Sequence, residues 1–311
     1  MPTLGLGLAA VGRPAYITGG RAADLPDRSP DALRRRCHDL LDLACRLGVR
    51  HIDVARSYGR SEEFVADWLR ERPEVPRDLF VASKWGYTYT GGWSLTADKH
   101  EVKDHSLAAF LRQREETRAL LGDRLDIYRI HSLTPDSPAL TDTALHRALA
   151  ELAAEGVRIG ISTSGPRQAD ALRAALEVTV DGAPLFSSVQ STWNPLEPSV
   201  APALAEAHAA GWLVVVKEGV ANGRLVGAEA PETLRRIAAE LDAGTDAVAL
   251  AAAFHQPWTD VVLSGAATET QLTSNATAAS LTLTERHLAA LAELAEPAET
   301  YWRTRSSRAW S

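Results

Sequence analysis

Four ionisable side chains in this sequence fall at or just beyond the ends of short apolar runs. They are Asp53, Tyr58, Lys84 and His131. An ammonium near a tyrosine favours the phenolate and lowers the tyrosine pKa, and a carboxylate holds that ammonium in place. A tyrosine tuned in this way is a general acid, and a histidine is a second donor to the same oxygen. Such a group could stabilise the alkoxide that develops when hydride reaches a carbonyl carbon. Taken singly, each residue is more often structural, so the hypothesis depends on their convergence.

The elements that would have to position these residues alternate along the chain. Short runs rich in β-branched residues each precede a longer segment with helical spacing. The eight candidate strands are 4–8, 51–55, 79–83, 126–131, 158–162, 188–191, 213–217 and 260–264. This alternation over 311 residues predicts an α/β fold, a closed (β/α)8 TIM barrel rather than an open doubly wound sheet. Chemistry is then expected at the C-terminal ends of the strands, where the four residues lie.

Helix boundaries support this alternation. Ser29 and Pro30 provide a capping hydroxyl and a proline at the first helical position, and Gly48 ends that helix. A second helix opens at 141–142 and Gly156 ends it just before the next strand. Because no linker rich in Gly, Ser or Pro divides the chain, we expect a single domain, 1–311, with a C-terminal tail near the active-site mouth.

Composition limits the classes of function. Lys and Arg total 33 against 40 Asp and Glu, and the net charge of −7 repels nucleic acid and anionic membranes. Two cysteines are too few for a disulfide framework. No signal peptide and no apolar stretch near the length of a bilayer span is visible, so we expect a cytoplasmic protein. Nothing in the charge or composition indicates an oligomeric state.

Two candidate motifs fail, and a third kind is absent from the sequence. The run 5–10 matches G-x-G-x-x-A, but Gly12 and Pro14 follow where a dinucleotide-binding turn needs a helix, so we interpret the run as a strand with glycines at a crowded place. The run 160–165 lacks the G-x-S-x-G spacing of a nucleophile elbow. No paired-histidine motif occurs, and we expect no catalytic metal.

On these residues the chain resembles the aldo-keto reductase superfamily over nearly its whole length. The family is a (β/α)8 barrel with an Asp-Tyr-Lys-His tetrad, and Asp53, Tyr58, Lys84 and His131 each stand where its pattern places them. The resemblance implies a tyrosine acid, a lysine and an aspartate that tune it, and a histidine that orients or polarises the carbonyl. It also implies a nicotinamide cofactor bound across the barrel mouth.

The resemblance extends to the cofactor site, with departures. Ser162 and Gln190 match positions that bind the nicotinamide carboxamide, whereas Thr163 replaces a common Asn and Lys217 stands where many members place a stacking aromatic ring. Glu218 is a candidate partner for that ammonium. The segment 263–275 is similar to the adenosine-phosphate segment, and its candidate cofactor contacts are Gly265, Thr268, Gln271 and Asn275. It lacks the basic side chain that suits a 2'-phosphate. The family resemblance favours NADP(H), with NAD(H) as the alternative.

Aromatic residues suggest a substrate pocket. The long connection after Lys84 carries several, and two more occur farther along the chain. The candidates for lining the pocket are Trp85, Tyr87, Trp93, Trp193 and Trp302, with Tyr89 in the same loop. Such a wall suits an apolar or aromatic carbonyl or the face of a sugar.

The leading hypothesis is an NADP(H)-dependent oxidoreductase that reduces a small-molecule aldehyde or ketone to an alcohol, with a tyrosine as general acid. Two alternatives stay open: an NAD(P)-dependent sugar or aldose dehydrogenase, and a cofactor-binding regulatory subunit with little turnover.

Overall fold

A computed structural model describes residues 1–17, 21–76 and 78–310. The strands are β1 (Thr3–Gly7), β2 (His51–Asp53), β3 (Phe80–Trp85), β4 (Tyr87–Tyr89), β5 (Glu101–Lys103), β6 (Ile127–Leu133), β7 (Arg158–Thr163), β8 (Thr179–Val180), β9 (Ala183–Pro184), β10 (Ser188–Thr192), β11 (Leu213–Lys217) and β12 (Val261–Ser264). The helices are α1 (Arg21–Asp24), α2 (Pro30–Arg46), α3 (Ser61–Glu71), α4 (Leu107–Leu121), α5 (Thr143–Ala154), α6 (Gln168–Leu176), α7 (Ala201–Ala209), α8 (Glu232–Glu240), α9 (Thr245–Phe254), α10 (Glu269–Thr277), α11 (Glu285–Ala292) and α12 (Ala298–Ser306).

Within the described residues, eight of these strands close a parallel barrel in the order β1-β12-β11-β10-β7-β6-β3-β2. The (β/α)8 prediction is confirmed, and all eight candidate strands are barrel strands with slightly different ends. Strand β3 continues two residues past its predicted end, through Lys84 and Trp85, and β6 also continues two residues past its predicted end. Since β2, β3 and β6 are adjacent, their C-terminal ends meet at one side of the barrel rim.

The run 5–10 is a barrel strand followed by a loop, as its context indicates. A Cβ atom added at Gly5 would lie 2.7 Å from the Leu263 side chain and 2.9 Å from that of Val261. Strand β1 ends at Gly7, and the next helix in the described residues begins at Arg21. The glycine therefore fits a crowded barrel interior and not a phosphate-binding turn.

The predicted helix caps are present. The Ser29 hydroxyl accepts a hydrogen bond from the Ala32 amide at 3.3 Å at the start of α2. The Asp142 carboxylate accepts from the Ala144 and Leu145 amides, both at 3.0 Å, at the start of α5. No helix within 1–17, 21–76 and 78–310 is long and apolar enough to cross a membrane.

The connection between β3 and α4 contains an antiparallel hairpin that the sequence patterns do not predict. Strands β4 and β5 pair with Tyr87 opposite Lys103 and Tyr89 opposite Glu101. This hairpin places Glu101 in the wall of a cavity that Asp53, Tyr58 and His131 also line.

Candidate active site

Lys84 links the members of the predicted tetrad. Its side chain is fully buried, and Nζ donates to Asp53 Oδ2 at 2.5 Å, to the Val54 carbonyl oxygen at 2.9 Å and to the Tyr58 hydroxyl at 3.3 Å. Asp53 ends β2 and Lys84 lies in β3, so the parallel pairing of these strands brings the two charges together. The ammonium therefore lies within hydrogen-bonding distance of both the carboxylate and the phenol.

Two glycines allow the Tyr58 loop to pack against the segment after β1. A Cβ atom added at Gly12 would lie 2.4 Å from the Tyr58 carbonyl oxygen, and one added at Gly59 would lie 2.4 Å from the Gly12 carbonyl oxygen. Gly59 also has a φ of 59°, which disfavours other residues. The Arg60 amide donates to the Gly12 carbonyl oxygen at 2.8 Å and closes this contact.

Burial dominates the acidity of Tyr58. Its pKa lies well above 10, chiefly because burial disfavours the phenolate and secondarily because the Asp53 carboxylate does the same. The sequence-based expectation that the ammonium leaves this phenol more acidic than usual is therefore wrong. Burial also lowers the pKa of Lys84, against the opposing effect of Asp53. Tyr58 consequently keeps its proton at neutral pH and can donate it.

His131 presents a neutral imidazole to the same site. Burial, followed by the charge of Lys84, holds its pKa well below 6.5. The His131 and Tyr58 ring centroids lie 5.5 Å apart in an edge arrangement, and His131 Nδ1 lies 3.4 Å from the Ser57 hydroxyl. When Ser57 donates to Nδ1, Nε2 carries the proton and is a hydrogen-bond donor.

Arg129 is a member of the site that the sequence patterns did not identify. It is fully buried, its Nη1 lies 3.4 Å from Asp53 Oδ1, and its Nε and Nη2 donate to the Ser188 hydroxyl at 3.1 and 2.9 Å. Burial lowers its pKa to about 10. The available signal was its spacing of two from His131, because alternate residues of a barrel strand face the same side.

A cavity of about 360 Å³ opens over the tetrad at the C-terminal ends of the strands. Its lining includes Asp53, Tyr58 and His131, and Lys84 lies directly beneath Tyr58. The C-terminal tail reaches the same cavity, since Arg305 and Trp310 are part of its wall. Within the described ranges, no group of three His, Cys, Asp or Glu is arranged to hold a metal ion.

The predicted nicotinamide contacts separate into two groups. Gln190 and Lys217 line the cavity, although the Gln190 amide nitrogen donates to Asp53 Oδ1 at 2.7 Å and so also supports the tetrad. Ser162 and Thr163 are fully buried in the barrel wall. The Ser162 hydroxyl accepts from the Ser132 amide at 2.8 Å, and the Thr163 hydroxyl bonds to that of Ser191 at 2.6 Å. The structure therefore does not bring Ser162 and Thr163 to the cavity surface.

Lys217 is held by polar neighbours instead of stacking. Its Nζ donates to the Thr192 hydroxyl at 2.7 Å and lies 3.8 Å from Glu218 Oε1, which agrees with the expected pairing. Burial lowers the pKa of Lys217 to about 8. Burial opposes ionisation of Glu218, but the cations Arg305 and Lys217 hold its pKa at about 2.

The segment around α10 is internally hydrogen-bonded. Gly265 lines the cavity, and a Cβ atom added there would meet nothing within 4 Å, so the backbone leaves room that a cofactor could fill. The Thr268 hydroxyl caps α10 by accepting from the Gln271 amide. The Gln271 side-chain amide donates to Asp24 at 2.9 Å. Dinucleotide phosphates suit such a helix start, so the segment fits a nicotinamide dinucleotide in general.

A second carboxylate lies at the same segment. The Asn275 amide nitrogen donates to Asp246 at 2.7 Å, and its carbonyl oxygen accepts from the Ser264 hydroxyl at 2.7 Å. The carboxylates of Asp246 and Asp24 would repel an additional phosphate placed beside them.

The structure corrects most of the predicted aromatic wall. Trp85 is fully buried and packs on Phe110 with ring centroids 5.0 Å apart. Because side chains alternate along β3, Lys84 points into the barrel and Trp85 points outward to α4. Trp193 is buried against Trp258 at 5.9 Å between centroids. Neither tryptophan reaches the cavity.

The remaining aromatic candidates differ in their distance from the tetrad. Trp93 donates from Nε1 to the Arg28 carbonyl oxygen at 2.8 Å, away from the tetrad. Trp302 is buried, although Lys217 Nζ lies 5.9 Å from its ring centroid. Tyr87 alone approaches the tetrad, with its ring 5.1 Å from that of His131.

The fold and the site together define a barrel in which a buried tyrosine, hydrogen-bonded to a buried lysine, lies beneath a cavity at the C-terminal rim. The sequence profile described as the Aldo/keto reductase family matches residues 4–296. Over 294 residues the chain is 26% identical to aldo-keto reductase str7 of Strobilurus tenacellus, covering 84% of this chain and 81% of that protein.

Solved structures agree with the fold. Aldo-keto reductase AKR11C1 from Bacillus halodurans, in its holo form, matches with a TM-score of 0.70 and 23% identity over 96% of this chain and 94% of that one. A second solved structure, of a protein from Pseudomonas aeruginosa, matches with a TM-score of 0.63 and 26% identity over 89% of this chain and 88% of that one. The chain belongs to the aldo/keto reductase family, and it is an oxidoreductase that uses NAD(P)H on carbonyl or alcohol groups.

Proposed function

We propose that this protein reduces an aldehyde or ketone to an alcohol, with Tyr58 as the general acid and NADP(H) as the cofactor. The observation that carries the proposal is the contact of the Lys84 ammonium with both Asp53 and Tyr58 beneath an open cavity. A buried tyrosine that is protonated at neutral pH, with a cation beside its oxygen, is suited to give up a proton only as negative charge develops next to it.

Each tetrad residue then has a defined task. A nicotinamide cofactor, when bound, would supply hydride to the carbonyl carbon. Tyr58 donates its proton to the carbonyl oxygen, and Lys84 stabilises the phenolate that this leaves. Asp53 keeps Lys84 charged in its buried position. His131, with a proton on Nε2, donates a hydrogen bond to the same oxygen and orients it.

The cofactor residues of the proposal follow the geometry. Gln190, Lys217 and Gly265 are the predicted contacts that line the cavity, and we place the nicotinamide end there. Thr268, Gln271 and Asn275 are proposed contacts for the adenosine end. NADP(H) is favoured by the family resemblance alone.

An oxidative, NAD-dependent sugar or aldose dehydrogenase is the second candidate. The carboxylates of Asp24 and Asp246 beside the adenosine segment favour NAD(H), because they disfavour a 2'-phosphate there.

The cytoplasmic location predicted from the sequence stays a prediction.

The test is loss of NADPH absorbance with a panel of activated aldehydes, ketones and aldoses, repeated with NADH. Turnover with a carbonyl substrate is expected in the wild type, and tighter binding of NADPH than NADH would support the cofactor assignment. Preference for NAD with an aldose would favour the sugar dehydrogenase. Tight cofactor binding with negligible turnover of every carbonyl would favour the regulatory alternative and contradict the proposal.

A further inference from the structure

Arg13 is a buried cation in the cavity wall that the tetrad chemistry does not use. Its side chain is only 2% exposed. The guanidinium carbon lies 4.9, 5.1 and 4.6 Å from the ring centroids of Tyr16, Tyr58 and Trp310. Nη1 donates to the carbonyl oxygen of Ser57, the residue before Tyr58, at 3.0 Å. Arg13 therefore contacts both the ring of Tyr58 and the backbone of the loop that carries it.

Two cations therefore lie against the Tyr58 ring. Lys84 Nζ is 4.7 Å from its centroid and Arg13 Cζ is 5.1 Å away. Arg13 has a carboxylate partner, since Nη1 also donates to Glu101 Oε2 at 2.8 Å. The Glu101 side chain is 23% exposed against 2% for Arg13, so water screens the carboxylate more than the guanidinium. The negative charge of Glu101 therefore does not cancel the electrostatic effect of Arg13 on the Tyr58 ring.

The C-terminal tail shields this arrangement from water. The Trp310 ring covers Arg13 and stacks on His100 with centroids 4.5 Å apart and planes 8° apart. Arg308 Nε donates to the Ile17 carbonyl oxygen at 3.1 Å and ties the tail to the segment after β1. Attraction between a cation and an aromatic ring or a phenolate is stronger where water is excluded.

We propose that Arg13 is a positioning residue for Tyr58, with a guanidinium that stabilises the tyrosinate formed in the reaction and with Trp310 shielding this contact. The proton passes from the Tyr58 hydroxyl to the developing alkoxide. The negative charge that stays on Tyr58 then lies close to both Lys84 and Arg13, and Arg13 itself gains or loses no bond. This inference rests on the proposed role of Tyr58 as the acid.

The groups that face Tyr58 make opposing contributions. They are Asp53 from β2, Lys84 from β3, His131 from β6, Arg13 and Tyr16 from the segment after β1, and Glu101 from β5. Burial is the largest cause of the high pKa of Tyr58, and Asp53 and Tyr16 raise it further. Arg13 lowers that pKa and Glu101 raises it. The two members of one ion pair therefore act on the tyrosine in opposite directions.

Because Arg13 and Glu101 change the pKa of Tyr58 in opposite directions, substituting each of them distinguishes an electrostatic role of Arg13 from a purely structural one. Arg13→Met should slow single-turnover carbonyl reduction about tenfold, the change expected for loss of one desolvated cation–π contact. Arg13→Lys should recover most of the rate. Glu101→Gln should leave the rate unchanged or raise it up to about threefold. The rate of alcohol oxidation should rise with pH as Tyr58 loses its proton. The midpoint of this rise should lie about one pH unit higher in Arg13→Met than in the wild type, and it should lie lower in Glu101→Gln.

A structural role would give a different result. Arg13→Met and Glu101→Gln break the same ion pair, so two variants that slow the reaction together, with no opposite displacement along the pH axis, would overturn the proposal. Trp310→Ala should slow the wild type about threefold and have no further effect in Arg13→Met. Additive effects of these two substitutions would contradict the shielding role.

A second readout does not need turnover. Near-ultraviolet tyrosinate absorbance is titrated at alkaline pH in the wild type and in Tyr58→Phe, and their difference isolates Tyr58. The same subtraction is made between Arg13→Met and the double variant Arg13→Met/Tyr58→Phe, and there Tyr58 should titrate at a higher pH than in the wild type. Circular dichroism confirms that the fold persists at each pH. An unchanged titration refutes the role of Arg13. A shifted titration in a protein that reduces no carbonyl supports the role of Arg13 and refutes the proposed reductase.

Discussion

Removing the Lys84 ammonium should expose how strongly the tetrad is electrostatically coupled. Lys84→Met keeps most of the side-chain volume but leaves the Asp53 carboxylate, which is 3% exposed, without its closest partner at 2.5 Å. Breaking a buried pair by removing one partner costs about 3–5 kcal/mol, because an uncompensated charge stays behind. Asp53 keeps the Gln190 amide at 2.7 Å and Arg129 at 3.4 Å, so we expect the lower end, about 3 kcal/mol.

The assay is guanidinium-induced unfolding at neutral pH without cofactor, followed by tryptophan fluorescence. The double variant Lys84→Met/Asp53→Asn removes both charges, and its destabilisation should fall below the sum of the single effects by about 2 kcal/mol. Arg173→Met is a matched control, because Arg173 pairs with Glu206 at 2.7 Å on the surface, where the two side chains are 47% and 48% exposed.

The control should cost less than about 1 kcal/mol. A cost of Lys84→Met as small as that of the control, or strict additivity in the double variant, would refute the coupling of Lys84 with Asp53. In either case the ammonium would not be held by the carboxylate in the way the site requires.

Three further results are expected. Because burial lowers the pKa of His51 to about 3 and that of His105 to about 4, the unfolded chain binds protons below about pH 6.5 that the folded chain does not. Burial also holds the pKa of His131 well below 6.5, so three protons are involved. The free energy of unfolding, measured by guanidinium titration, should fall by up to about 4 kcal/mol per pH unit from pH 6 to 4. Gly12→Ala should lower kcat more than cofactor affinity, because its Cβ would press on the Tyr58 carbonyl oxygen. Trp85→Phe should destabilise the protein by about 1–3 kcal/mol with KM for the carbonyl unchanged, since the indole is fully buried away from the cavity.

A specific result would contradict each of these three expectations. The exposed His208 is the control for the acid series, and His208→Asn should keep the slope that His51→Asn reduces. A flat stability between pH 6 and 4 would show that the buried histidines take up protons in the folded state. An unchanged kcat in Gly12→Ala, or a raised KM in Trp85→Phe, would contradict the placement of those residues.

The barrel and the tetrad were predictable because both follow from local patterns. Buried parallel strands give short apolar runs, and the fold places the residues at their C-terminal ends on one rim. Asp53, Lys84 and His131 therefore converge although 78 positions separate the first from the last. Tyr58 lies in the loop that follows β2, so the same pattern places it at that rim, and the resemblance to the family supports its assignment.

The cavity wall was not predictable, because it is assembled from segments distant in sequence. Arg13, Glu101 and Trp310 meet only after the hairpin and the tail fold over the rim. Arginine and glutamate are most often surface residues, and no spacing connects Arg13, Glu101 and Trp310. Trp85 failed as a pocket residue for a different reason, since the one-residue extension of β3 beyond Lys84 turns it outward.

The acidity of Tyr58 shows where reasoning from residue types stops. A lysine beside a tyrosine suggests a lowered pKa, but burial and the Asp53 carboxylate raise the pKa of Tyr58, and the lowering effect of Arg13 does not offset them. The same holds for Arg129, which a sequence presents as a solvated cation and the barrel buries beside Asp53.

The most direct test of the central claim is the rate of hydride transfer in Tyr58→Phe, measured by rapid mixing of the NADPH complex with a carbonyl substrate that the wild type reduces. Cofactor affinity is measured separately by fluorescence titration. The rate should fall by about 10²- to 10⁴-fold while NADPH affinity stays within about twofold, because a general acid is lost and the cofactor contacts are kept. Wild-type rates in Tyr58→Phe with unchanged cofactor binding would show that another group supplies the proton.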